Sequence, residues 1–322
     1  MLPYLASLKL TLWLLGLFLI AVSISYLLPA VSNGWLALPL FLLAVNLLAA
    51  IIDNPKFRQQ LPLLSFHIAL LLLLLLIATS QLTSLKGEAE VTTGERFSGE
   101  LVSYRAGPLH QWNLQKVEFL LDKFSINYAP GLQREKTIAQ VRWIDQDGKQ
   151  QLKKVGDQYP LILNGYRFYT SHNKGFSPVF SWHSLQGETK SGSIHLPPYP
   201  AQEYRQALEW NIPGSTQKIW TQLQFDEVIL NPDKRSQFHV PQYHRLAVRI
   251  DETRYLLQPG EGINLADGRL IYESLQTWMG FSVTSDWTLP WLFASGLAAV
   301  LSIGWHYGRK FSARPWRELE DD

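Results

Sequence analysis

Between Leu61 and Leu82 the chain carries no charge and a single titratable side chain, His67. About 20 consecutive apolar residues let an α-helix cross the roughly 30 Å hydrocarbon core of a bilayer, so this stretch is expected to span a membrane. Three other stretches meet the same test, at about 8–28, 36–52 and 289–307. Lys9 before the first, and the small residues Ala30 and Ser32 after it, resemble the flanks of a cleavable leader. That run is longer than a normal signal core and a second span follows within a few residues, so an uncleaved anchor is the expectation.

Lys and Arg in short loops set orientation. Lys9 precedes span one, Lys56 and Arg58 lie between spans two and three, and Arg309, Lys310, Arg314 and Arg317 follow span four. These positions agree with one topology, in which both termini and the 53–60 loop are cytoplasmic and the long segment between spans three and four is outside. The expected organisation is three transmembrane helices in 1–84, an extracytoplasmic domain in 85–286, and a fourth transmembrane helix with a cytoplasmic tail in 287–322.

Residues 85–286 hold 22 of the 29 Lys+Arg and 22 of the 27 Asp+Glu, so the outer domain is formally neutral and the net +2 belongs to the membrane part. No basic face is implied, which excludes nucleic acid as the expected partner. There is no cysteine. The chain therefore performs no thiol–disulfide exchange, has no thiolate metal site and lacks the C-x-x-C-H run through which haem is attached covalently. Any haem it handles is held non-covalently.

The outer domain has the punctuation of β-hairpins. Asp147-Gly148 lies within IAQVRWIDQDGKQQLKKV (138–155), Asn164-Gly165 separates YPLIL from YRFYT, and Asp267-Gly268 falls between Ile263 and Leu270. Such dipeptides between β-prone runs are hairpin signals. QKIWTQLQFDEVIL (217–230) alternates apolar and polar residues, as a half-buried strand does. PAQEYRQALEW (200–210) is expected to form one helix. The fold class expected is thus a membrane α-helical protein with four transmembrane helices plus an extracytoplasmic antiparallel all-β, sandwich-like domain.

Catalytic signatures are missing from the outer domain: there is no G-x-S-x-G, no phosphate-binding glycine loop and no H-E-x-x-H. Its six histidines, His110, His172, His183, His195, His239 and His244, are not paired at a helical metal spacing and are expected to be surface or hydrogen-bonded residues. Trp287 and Trp291 bracket the outer end of span four, where an interfacial aromatic belt is the default; the other outer tryptophans are expected in cores or on sheet faces.

His67 is different, because an ionisable group inside a span is a functional hypothesis by default. It lies about 9 Å along its helix from the cytoplasmic end, counting about 1.5 Å per residue. His306, three residues before Arg309, reaches a similar level from the other direction. Two neutral imidazoles on neighbouring helices are a haem-iron ligand set. The alternative is packing, with His306 at the interface and His67 donating to another helix near Ser65 or Asn46.

Three stretches carry a family resemblance: SFHIALLLLLLLIATSQLTSLKGEAEVTTGE (65–95), GYRFYTSHNKGFSPVF (165–180) and GFSVTSDWTLPWLFASGLAAVLSIG (280–304). With the order of three spans, β-rich outer domain and final span, they resemble the ResB family of system II cytochrome c biogenesis. The resemblance implies a subunit that works with a ResC-type membrane protein to deliver haem and attach it to apocytochrome c outside the membrane of a bacterial cell. It implies that His67 corresponds to the family's intramembrane haem ligand; His306 rests on depth alone. The tryptophan-rich segment and additional spans of the ResC half are absent, so the chain is expected to be a non-catalytic subunit of the haem lyase complex. A membrane-anchored scaffold without haem and a haem b electron-transfer subunit are the competing readings.

Overall fold

The computed structural model describes residues 2–28, 33–201, 205–212 and 217–312. Ala30, Ser32, Arg314 and Arg317, used above for processing and orientation, lie outside them. The chain divides into two units, a helical one drawn from 1–86, 105–112 and 284–322, and a β unit made of 87–104 and 113–283.

The helical unit contains α1 (Leu2–Leu5), α2 (Leu8–Leu27), α3 (Ala37–Asp53), α4 (Pro55–Gln59), α5 (Leu61–Thr83) and α6 (Leu289–Ser312). Four helical segments are long and apolar enough to cross a membrane: Leu8–Leu27, Gly34–Asp53, Leu61–Thr83 and Leu289–Ser312. They match the expected spans closely, except that α6 continues past residue 307. With this composition the chain is a membrane protein. Large apolar side chains such as Leu12, Trp13, Leu19 and Ile20 point away from the unit, as lipid-facing residues do.

Small residues line the buried faces. Ser295, Ala299 and Ser302 are the buried residues of α6, and Ala69 and Ala78 are buried on α5. Without a strong hydrophobic drive between helices in lipid, such small side chains allow the close backbone approach on which association depends. Asn46 of α3 is 4% exposed and fully engaged: its Oδ1 accepts from Thr11 Oγ1 at 2.7 Å, and its Nδ2 donates to Leu5 O. The C-terminal end of α5 is tied to the segment that leads into α6 by Ser80 Oγ donating to Asp286 Oδ2 at 2.7 Å. Asp286 Oδ1 also accepts from the backbone N and the hydroxyl of Thr288 at the entry to α6, at 2.9 and 2.7 Å.

Among the described residues the β unit holds one seven-stranded and two four-stranded sheets. In the large sheet the order is Ser103–Ala106, Leu85–Thr92, Gly268–Ser285, Tyr166–Ser184, Leu161–Leu163, with Gly262–Leu265 and Thr189–Ser193 as hairpin partners of the two long strands. One small sheet is antiparallel in the order Thr253–Leu257, Arg245–Ile250, Lys218–Gln224, Ala207–Asn211. The other runs Ser236–Gln237, Leu120–Ala129, Gln133–Ile144, Gln150–Gly156, also antiparallel.

All three hairpins read from the sequence are present. Asn164 and Gly165 both have positive φ, 48° and 82°, as a two-residue type I′ turn requires. Ile263 is registered opposite Leu270 across the second turn. At the third, Asp145 Oδ1 accepts from the backbone N of Asp147 and of Lys149, and Gly148 takes φ 75°. The helix expected over 200–210 is not formed: Ala207–Asn211 is a strand paired with Lys218–Gln224. Residues 202–204 of that segment lie outside the described residues. The alternation in 217–230 yields a strand only over Lys218–Gln224.

Candidate functional site

His67 sits on α5, whose first turn carries Pro62 at a position where a missing N–H costs nothing. It is half-buried, with the Phe57 ring of α4 at 4.2 Å between centroids and Phe66 edge-on at 5.2 Å. Its Nδ1 lies 2.7 Å from the carbonyl oxygen of Leu63, one turn back in the same helix. A carbonyl only accepts, so Nδ1 carries the proton and donates. In the neutral ring Nε2 then holds the lone pair. A backbone carbonyl that accepts from the far nitrogen and so orients the ring is the usual support of a metal-ligating histidine. No bond from His67 to Ser65, Asn46 or another helix is formed among the described residues, and Asn46 is committed to α1 and α2.

His306 lies elsewhere. With Arg309 and Lys310 it lines a cleft of about 550 Å³ whose other wall is Gln59, Gln60 and Pro62. The Ser80–Asp286 contact fixes the register of the antiparallel α5 and α6, and counting inward from it sets His306 level with Gln60. His67 is seven residues further along α5, roughly 10 Å of helix rise. The similar depth expected for the two histidines is therefore not what the register gives, and no contact joins their rings.

The six histidines outside the long helices are exposed or hydrogen-bonded. His239 donates from Nδ1 to Gln237 O and from Nε2 to Glu227 Oε1, both at 2.8 Å. The Gln237 carbonyl first, and the Glu227 carboxylate second, hold its pKa above the usual histidine value. His244 accepts from the Tyr272 hydroxyl at 2.8 Å, and burial lowers its pKa. His195 stands between Glu90 Oε2 and Thr92 Oγ1, each at 2.9 Å, an arrangement with the order of a catalytic relay. Thr92, however, is 1% exposed and bonded to Ser177 and Ser193, so no substrate reaches its hydroxyl. Among the described residues no three His, Cys, Asp or Glu side chains form a metal-binding group.

One contact escaped the sequence reading. Residues 105–112 fold onto the C-terminal end of α5: Gly107 N donates to Ser84 O at 2.9 Å, Leu109 N to Leu82 O at 2.8 Å, and His110 Nδ1 to Thr83 O at 2.8 Å. A Cβ on Gly107 would sit 2.2 Å from the Leu82 carbonyl. Gly107-Pro108 was the available signal, but its partners are backbone carbonyls, which leave no mark in side-chain patterns.

Residues 58–206 match the model of the ResB-like family. That stretch is ResB-like. The ResB-like family is associated with cytochrome c biogenesis. No curated protein matches the chain. The matched stretch contains α5 and His67 and runs into the β unit as far as Gln206; His306 and α6 lie beyond it.

Proposed function

We propose that this chain is a ResB-type membrane subunit of a system II cytochrome c biogenesis complex, passing haem across the bacterial cytoplasmic membrane and supporting its attachment to apocytochrome c with a ResC-type partner. The observation that carries the reading is the His67 ring, with Nδ1–H held by Leu63 O and Nε2 left as a lone pair. Haem is cargo here, and its iron takes axial nitrogen ligands. His67 supplies one. The second comes from the partner, because His306 lies about 10 Å of helix rise away from the His67 level. Phe57 and Phe66 give the imidazole apolar walls, which keep water from competing at Nε2.

The termini lie on the cytoplasmic side and the three sheets form a sandwich-like domain outside, where apocytochrome c is met. Bond formation between haem and the C-x-x-C-H thiols of apocytochrome c is assigned to the partner, since the sequence carries none of the hydrolase, phosphate-loop or H-E-x-x-H signatures.

The test is a His67→Leu strain scored for holocytochrome c and for abundance of the mutant chain. Maturation should fall severely while the chain remains in the membrane, and His67→Gly should regain maturation with added imidazole. Normal maturation in His67→Leu at ordinary abundance overturns the proposal. Haem that stays with the purified chain after deletion of the partner indicates electron transfer instead.

A further inference from the structure

The cleft at the inner end of α5 and α6 has a chemistry that the haem reading leaves unused. His306, Arg309 and Lys310 stand at i, i+3 and i+4 of α6, the spacing that stacks side chains on one helix face. Across from them are two amides, Gln59 and Gln60, and the ring of Pro62, giving a space of about 550 Å³. Every charged or titratable group on its walls is basic, and neither Arg309 nor Lys310 pairs with an acid among the described residues. Trp305, Tyr307 and Phe311, 49%, 48% and 73% exposed, are neighbours of these residues on the same helix. The site therefore combines anion-seeking donors with an apolar surround at the end of two spans.

We infer that this cleft binds the phosphate of an anionic phospholipid, with Arg309 and Lys310 on the phosphate oxygens, the glutamine amides on the glycerol headgroup, and the acyl chains along the aromatic flank of α6. Basic pockets between transmembrane helices at the membrane surface are suited to anionic headgroups. Lipid is favoured over a free anion because a phosphate ion would use the donors and none of the aromatic surface. The planar guanidinium of Arg309 matches two phosphate oxygens at once. Bound lipid would join the α4–α5 corner to α6, two segments far apart in the sequence.

The experiment uses the full-length protein, purified in detergent, stripped of lipid and titrated with phosphatidylglycerol or phosphatidylcholine. Retained lipid is counted by native mass spectrometry and stabilisation is read from the melting temperature. Phosphatidylglycerol should bind preferentially. Arg309→Gln should weaken it about fivefold, and Arg309→Gln with Lys310→Gln about 30-fold, following roughly 1 kcal/mol per cation near the surface. Lys9→Gln removes a charge outside the cleft and should leave the preference intact. Equal binding of the two lipids, an equal loss in the Lys9 variant, or the same stabilisation from inorganic phosphate alone each overturns the inference. None of these readouts involves haem, so the result stands apart from the proposed function.

Discussion

Lys174 offers a quantitative test of how the β unit is held together. It is 3% exposed, its ammonium lies 5.1 Å from the Tyr128 ring centre and 5.7 Å from that of Phe238, and no carboxylate among the described residues pairs with it. Burial, aided by repulsion from the Arg134 guanidinium, pulls its pKa from 10.5 down to about 8. A folded-state pKa below the unfolded one means that the unfolded chain binds more protons between pH 8 and 10.5, so stability rises with pH across that window. Below pH 8 the full penalty of the buried charge is present. At 1.36 kcal/mol per pK unit it amounts to about 3 kcal/mol. Cation–π attraction to two rings offsets about 1–2 kcal/mol of this. Lys174→Met keeps the packing volume and removes the charge, so it should stabilise the domain at pH 7 by about 1–2 kcal/mol, or roughly 5 °C in Tm for a domain of this size. Melting of the full-length protein in detergent, followed by tryptophan fluorescence from pH 7 to 10.5, should show the advantage shrinking as pH climbs through 8. A variant less stable than the parent by the same amount at every pH refutes the reasoning.

The His239–Glu227 pair titrates in the opposite sense. His239 has a raised pKa, so its contribution is complete below 6.5 and fades as pH rises through the raised value, whereas Glu227, lowered first by the His239 hydrogen bond, loses its own contribution as pH falls through its depressed pKa. In Glu227→Gln the His239 midpoint should drop, read by NMR titration; an unmoved midpoint argues against the pair. Gly107→Ala should dislodge residues 105–112 from the end of α5 at a cost of about 1–3 kcal/mol, because the new Cβ collides with backbone, and proteolysis within that segment should accelerate. Unaltered proteolysis would show that the segment tolerates the change. Reporter fusions after Lys86 and near Asp286 should be active outside, and those after Arg58 and Asp322 inside; a cytoplasmic signal at Lys86 inverts the topology.

Much of the fold was written in local chemistry. Asn164-Gly165 specified its hairpin because two consecutive positive φ values suit few other pairs, and the four long apolar helices were legible from hydropathy alone. Ala207–Asn211 was misread because ALEW has good helix formers, yet a neighbouring strand satisfies its backbone: Lys218–Gln224 pairs with it from Lys218 opposite Asn211 to Gln222 opposite Ala207. Propensity yields to tertiary pairing in such short segments. The depth of His306 was misplaced for a different reason. The expectation sets the ends of the two helices level, whereas the Ser80–Asp286 register puts His306 opposite Gln60 and carries α6 past the start of α5 to Ser312, with Arg309 and Lys310 in its last turn. Basic residues there complement the helix dipole, so they extend the helix rather than stop it.

The bond from His67 to Leu63 O bears on why this position can be functional at all. A histidine that donates to another helix would make its own removal a folding defect, and ligand and packing roles could not be separated. Here the donor proton is satisfied within α5, so replacing His67 deletes no bond between helices. The Leu63 carbonyl sits at an i−4 position and, without the ring, remains the ordinary acceptor for the backbone N–H of residue 67. A leucine at 67 consequently costs little in assembly, and loss of maturation in that variant is attributable to the imidazole. His67→Gln sharpens the distinction. Its amide can reach polar partners but offers iron no ring nitrogen, so maturation should fail with Gln as it does with Leu. Maturation sustained by Gln would return His67 to a hydrogen-bonding role.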